Sequence, residues 1–335
     1  MLSQGTPCRL SEMTLAVASP FLTARPRTLS PRKFADPVRT ADGSPRAAVA
    51  LERLETLWFN TGTLCNIACA NCYIESSPTN DALAYLTRVD ARAYLDEIAA
   101  RDLPTAEIGF TGGEPFMNPD ILPMIEDALG GGRRVLVLTN AMRPMTRWGD
   151  RLSRLAAIAG DRLTLRVSLD HHTRDVHDAE RGQGSWDRAW EGLRWLRDHG
   201  FRLAVAGRRL ADEDEAAARA AYAALFAAER LDIDAFNPGA LVMFPEMEPD
   251  ADVPEITEAC WGILHRAPSE MMCASSRMVV RRRGELEPVV VACTLIPYEP
   301  AFEMGRTLAE ASGRVSLNHP FCAQFCVLGG ASCSA

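Results

Sequence analysis

An α/β fold is expected from this sequence: a parallel sheet wound into an open or closed barrel, followed by a small second domain. Three observations carry that expectation. From about residue 51 to 245, short β-branched or apolar stretches alternate with helical ones, the rhythm of βα units joined by right-handed crossovers. Beyond residue 254 the rhythm stops and a cysteine-bearing hairpin pattern begins. The sulfur-bearing and polar clusters fall just after strands, where such folds gather their chemistry. A length of 335 residues agrees with about two domains at roughly 150 residues each.

Taken in order, residues 1–50 are a Pro/Arg-rich leader. Pro7, Pro20, Pro26, Pro31, Pro37 and Pro45 stand among Arg, Ser and Thr, and such a composition cannot bury enough apolar surface to fold alone. Disorder is expected there, with Cys8 inside it. Residues 51–245 form the expected barrel. A strand at 57–60 runs into a cysteine loop, and a helix over 89–100 stops ahead of Pro104. The strand 107–110 ends in Thr111-Gly112-Gly113-Glu114-Pro115, a helix covers 121–129, and Gly130-Gly131-Gly132 ends it. Residues 134–140 read as a buried parallel strand. A helix at 148–159, a strand at 163–169 with the tail Asp170-His171-His172, and a helix at 186–199 follow. Then come a strand at 201–205, an Ala-rich helix at 212–229 and a last strand within 233–244. The acidic stretch 245–254 is a linker. In the second domain, 255–335, two apolar runs flank Arg281-Arg282-Arg283-Gly284 as a hairpin with a basic tip.

Composition narrows the function. The net charge of −8 disfavours a dedicated nucleic-acid binder. No apolar run reaches the roughly 18 residues needed to cross a bilayer, and a cytoplasmic location is expected. Ten cysteines are many for an ordinary enzyme-sized chain, and they fall in two groups. Cys65, Cys69 and Cys72 have the spacing C-x3-C-x2-C. Three thiolates so close converge on one object if the loop wraps around it, and soft ligands at this spacing suit a [4Fe–4S] cubane or zinc. A cubane held by three cysteines keeps one iron open. The second group is Cys273, Cys293, Cys322, Cys326 and Cys333, from which a closed four-thiolate site can be drawn. That site fits an iron–sulfur cluster or a structural zinc. Cys260, beside Trp261, reads as core.

These motifs together resemble the radical S-adenosylmethionine (radical SAM) superfamily: the cysteine loop after the first strand, Gly112-Gly113-Glu114-Pro115 after the second, Thr139-Asn140 after the third and Val167-Ser168-Leu169-Asp170 after the fourth. The resemblance implies a partial (β/α)6 barrel over residues 51–245. It implies that Cys65, Cys69 and Cys72 hold a [4Fe–4S] cluster whose open iron takes SAM, and that reductive cleavage there gives a 5′-deoxyadenosyl radical. Gly112, Gly113 and Glu114 would lie along the methionine end of SAM, with Asn140, Ser168 and Arg181 as further contacts and Tyr73 over the adenine. Asn71 stands where an aromatic is often found. The second cysteine group is similar to a twitch domain, a shortened SPASM domain with one auxiliary [4Fe–4S] cluster. The implied reaction is hydrogen abstraction followed by oxidation or bond formation on a small molecule, with a peptide maturase as the second possibility. A flavodoxin- or ferredoxin-type donor would supply the electron. An iron–sulfur electron carrier without SAM chemistry is the non-enzymatic alternative, which needs neither the Gly-Gly-Glu nor Ser168.

Other signals are weaker. His171, His172 and His177 near Asp170, Asp175 and Asp178 resemble a metal site on paper, but a polar loop after a strand is favoured, and one of these groups could serve as an acid or base. The run Arg281 to Arg283 reads as a solvated turn, and Trp186, Trp190 and Trp195 as packing.

Overall fold

The computed structural model describes residues 28–210 and 213–330. The leader up to residue 27, with Cys8, and the C-terminal Cys333 lie outside the described residues.

A short β1 (Ala48–Val49) precedes β2 (Thr56–Asn60), which opens the main sheet. The first long helix, α1 (Arg88–Ala100), starts with a capping box in which Thr87 and Asp90 exchange side-chain bonds to each other's backbone N–H. Then come β3 (Glu107–Thr111), α2 (Ile121–Gly130), β4 (Arg134–Thr139), the one-turn α3 (Arg143–Thr146), α4 (Gly149–Ala159) and β5 (Leu163–Ser168). The series continues with α5 (Arg174–Arg181), α6 (Ser185–Asp198), β6 (Arg202–Arg209), α7 (Glu215–Ala228) and β7 (Leu241–Pro245). Strands β2 to β7 lie side by side in chain order and pair in parallel. This is the expected partial (β/α)6 barrel. The last strand, expected within 233–244, is β7, which ends one residue beyond that range, while β6 runs on to Arg209.

Side chains alternate across a strand, so the two faces of the sheet bury different neighbours. Leu57 and Phe59 of β2 join Val135 and Val137 of β4 in the core beneath the helices. Trp58 and Leu136 face the other way, into a core shared with the C-terminal region. Trp58 lies opposite Gly109 in the register. A Cβ on that glycine would come within 2.3 Å of the indole, so β3 makes room for Trp58 by having no side chain there.

The C-terminal region contains α8 (Cys260–Leu264), β8 (Ser276–Val280), β9 (Val289–Val291), β10 (Val315–Ser316) and a π-helix at Cys322–Val327. The expected hairpin forms, with β8 and β9 antiparallel. It does not stand apart, because β8 also pairs in parallel with β2 and extends the barrel sheet to eight strands. An uncovered β2 would present a row of open backbone groups, and the wholly buried β8 closes that edge.

Residues 28–49 differ from the disordered leader that was expected. Thr28 bridges to Ala251, β1 pairs with β10, and Arg46 forms a buried ion pair with Glu255. The strap has no core of its own, but Phe34, Ala47 and Val49 are buried against the C-terminal region. Among the described residues, no helix is long and apolar enough to cross a membrane.

Candidate functional site

The loops after β2 and β3 are joined backbone to backbone. Gly113 N–H donates to Gly62 O at 2.8 Å, and Glu114 N–H to Leu64 O at 3.2 Å. A Cβ on Gly113 would lie 2.2 Å from the Leu64 carbonyl oxygen, so this approach requires glycine. The contact fixes Cys65, the next residue, against the Gly-Gly-Glu loop.

Glu114 carries the connection to β4. Its buried carboxylate accepts from Thr139 Oγ1 at 2.9 Å, Asn140 N–H at 2.8 Å and Phe116 N–H at 3.2 Å. Burial pushes its carboxyl up to about 7 despite those donors. Asn140 extends the network, its amide donating to Asn66 Oδ1 at 2.9 Å and reaching Cys65 Sγ at 3.8 Å.

Cys65, Cys69 and Cys72 line one cavity of about 170 Å³ together with Tyr73, Gly112, Gly113, Asn140, Ser168 and Arg181. Of the residues singled out in the sequence for this site, Glu114 alone is absent from the lining and sits behind the wall. Arg181 reaches the cavity with its Nε and Nη2 engaged by Asp170 at 2.9 and 3.0 Å, so its paired donors already hold a carboxylate of the protein. Burial would raise the Asp170 carboxyl, but Arg181 and Arg208 hold it below the usual range. Tyr73 is fixed in place, its hydroxyl donating to Pro245 O at 2.8 Å and accepting from Arg208 Nη1 at 3.2 Å.

Asp170 as the partner of Arg181, and Arg208 as a wall residue, were missed in the sequence. The signal for Arg208 was its position at the C-terminal end of a parallel strand, in Val205-Ala206-Gly207-Arg208. Its guanidinium lies 5.1 Å from the centre of the Tyr73 ring and donates to Asn71 O at 2.9 Å.

Cys273, Cys293, Cys322 and Cys326 line a second cavity whose other walls are apolar, among them Met272, Leu295, Phe302 and Phe321. Cys273 precedes β8, Cys293 follows β9, and the π-helix brings both Cys322 and Cys326. Leu295 belongs to both cavities. Among the described residues, no three cysteine sulfurs come within 4.8 Å of one another. Four soft thiolates with apolar walls are a donor set that an iron–sulfur cubane takes, and a structural zinc takes four thiolates as well. Burial pushes the Cys65 and Cys273 thiols up to about 12 and those of Cys322 and Cys326 well above the ordinary range, so a cationic partner is what would make them thiolates. In both cavities the donor set fits an iron–sulfur cluster. Cys260 lines neither cavity, and its sulfur accepts from Thr257 N–H.

In the histidine-rich loop His171, His172 and Glu213 bring donor atoms within 4.8 Å of one another, close enough to share a metal ion, while other groups of the loop are taken up by hydrogen bonding and capping. His171 Nδ1 accepts from Thr173 N–H at 3.0 Å, which leaves its Nε2 to donate to Glu213 at 3.2 Å. His177 packs edge-on against Trp186. Asp178 accepts from the N–H groups of Gly184 and Trp186 at the start of α6. Arg281, Arg282 and Arg283 are each paired, with Asp90, Glu303 and Asp81.

Comparison with known proteins follows the same lines. Residues 59–221 match the model of the Radical SAM superfamily. The chain is 32% identical over 173 residues to mycofactocin maturase MftC of Mycobacterium tuberculosis, covering 50% of this chain and 42% of that protein. It is 32% identical over 143 residues to the antilisterial bacteriocin subtilosin biosynthesis protein AlbA of Bacillus subtilis, covering 42% of this chain and 30% of the relative. It therefore spans less than half the length of either. In structure it is similar to Streptococcus suis SuiB bound to S-adenosylmethionine, with a TM-score of 0.54 at 11% identity, over 76% of this chain and 63% of the other. It is also similar to anSMEcpe with bound AdoMet, with a TM-score of 0.53 at 13% identity, over 76% of each chain.

Proposed function

Because this chain belongs to the radical SAM superfamily, we propose that it cleaves S-adenosylmethionine reductively and uses the resulting radical to abstract hydrogen from a C–H bond of a peptide. The observation that carries this is the convergence of Cys65, Cys69 and Cys72 with Gly112, Gly113 and Ser168 on one cavity. When bound, the cluster and its cofactor supply a 5′-deoxyadenosyl radical. The chain supplies the rest. Cys65, Cys69 and Cys72 would hold the cluster, leaving one iron without a side chain. Backbone carbonyls at Gly112 and Gly113 can approach an ammonium group closely. Trp58, Leu138 and Phe244 give the cavity apolar walls, which would help to keep water from a radical once the site is filled. Arg181 and Arg208 are both already paired, with Asp170 and Glu180.

Two things favour a peptide over the small molecule first expected. The relatives named above include a maturase and a bacteriocin biosynthesis protein. A groove of about 370 Å³ also shares Asn71, Cys72, Tyr73 and Leu295 with the cavity and leads outward between the cysteine loop and residues 296–299. Residues 51–245 would house the SAM site and residues 255–335 an auxiliary [4Fe–4S] cluster on Cys273, Cys293, Cys322 and Cys326. The electron would come from a flavodoxin- or ferredoxin-type donor.

The test is anaerobic reconstitution, then dithionite and S-adenosylmethionine, with 5′-deoxyadenosine measured by mass spectrometry. The expected outcome is 5′-deoxyadenosine from the parent protein and none from Cys69→Ala, with about eight irons per parent chain. A fully iron-loaded protein that forms none would favour the electron carrier.

A further inference from the structure

In β8 an arginine occupies a position where burial would call for an apolar residue. Arg277 is 1% exposed. Its guanidinium donates only to carbonyls: Ala311 O at 2.9 Å, Cys273 O at 2.6 Å, Ser276 O at 2.7 Å and Gly313 O at 3.1 Å. Carbonyls satisfy its N–H groups but do not neutralise its charge. Among the described residues, the ionisable groups acting on that charge are Cys273 and Cys293, and no carboxylate pairs with it. By contrast, Arg46 pairs with Glu255, Arg181 with Asp170 and Arg208 with Glu180. A buried charge without a counter-charge is strongly destabilising, so the native, filled site should contain one.

We propose that Arg277 is a positioning residue that sets a fixed positive charge behind Cys273 and Cys293 for an anionic four-thiolate iron–sulfur cluster in the second cavity. This rests on reading that cavity as an iron–sulfur site. Four thiolates outweigh the positive charge of the iron–sulfur core, so the filled site is an anion, and reduction makes it more so. A nearby fixed cation favours the more negative, reduced level, because Coulomb energy scales with the charge it meets. Arg277 therefore raises the midpoint potential of this cluster. Around the first cavity the neighbouring cations are already neutralised by Asp170 and Glu180, so the two cysteine sites lie in different fields.

The experiment uses the full chain with Cys65, Cys69 and Cys72 replaced by alanine, so that only the second site is loaded. After anaerobic reconstitution, metal analysis comes first, followed by a mediated redox titration read by electron paramagnetic resonance. The expected result is about four irons per chain, a midpoint moved to lower potential in Arg277→Gln, and a midpoint near the parent's in Arg277→Lys. An unchanged midpoint in Arg277→Gln with its iron intact overturns the role of the charge alone. Zinc in place of iron overturns the cluster reading as well. If the glutamine variant does not fold, the lysine variant decides. Retained iron with a parent-like midpoint supports the charge, whereas complete loss of iron shows that the carbonyl bonds are what matter and overturns the proposal.

Discussion

Glu114 accepts three hydrogen bonds, from Thr139, Asn140 and Phe116, so its surroundings require a group that only accepts. Glu114→Gln would turn an amide N–H toward one of those donors and leave it unsatisfied, at about 1–3 kcal/mol. The expected result is a melting temperature lower by several degrees. The carboxyl is also strained by its own burial, which raises it to about 7 from 4.5. A carboxyl raised on folding is protonated more readily in the folded chain than in the unfolded one. The stability this gives is complete below about pH 4.5 and is lost as the pH rises through about 7. Melts of the ligand-free protein between those pH values should therefore show a falling melting temperature that flattens in Glu114→Gln. Equal slopes in the two proteins would mean that Glu114 titrates alike in the folded and unfolded chains. The Gly-Gly-Glu pattern made this residue legible as chemistry. Its part in tying β3 to β4 was not legible, since the donors that surround it depend on strand order.

At the scale of elements, strands with a continuous apolar face were legible, and those held by polar contacts were not. Val135 to Leu138 read as a strand because burial on both faces of a parallel sheet selects such residues. Helix α5 escaped notice because Arg174–Arg181 has almost no apolar residue to mark a period. It is held instead through Asp178, which caps α6. The end of β6 was hidden by Gly207, Arg208 and Arg209. Gly207 is there because a Cβ would come within 2.6 Å of the Tyr222 hydroxyl. The contact between the loops after β2 and β3 gives a prediction at this scale. Gly113→Ala must move the Leu64 backbone, and with it Cys65, at about 1–3 kcal/mol by the usual cost of overpacking. The second cavity lies on other elements and should be untouched. The variant is expected to fold, keep about four of about eight irons and form no 5′-deoxyadenosine. Full iron with normal product would show that the loops can part without harm to the site.

For the whole molecule, the two cysteine groups were legible as two sites from spacing alone, but the division of the chain between them was not. Local composition marks residues 245–254 as a linker and 1–50 as a leader. It says nothing of β8 pairing with β2, or of β1 pairing with β10, because those contacts join residues far apart in sequence. The second core makes the same point, with Trp58 and Leu136 from the barrel buried against Met278, Val280 and Phe325 from the C-terminal region. A chain of residues 51–245 alone would therefore uncover an aromatic-rich face and the whole edge of β2 at once. An open, apolar strand edge is a template for pairing with other chains. The fragment is expected to aggregate on size-exclusion chromatography. The full chain should melt in a single transition, with both cysteine sites releasing iron over the same temperature range. A monomeric 51–245 fragment with a cooperative melt of its own would mean that the shared sheet joins two units that fold separately. In that case β8 would be a late addition to an already stable barrel, and the apolar face around Trp58 would have to find cover within the barrel itself.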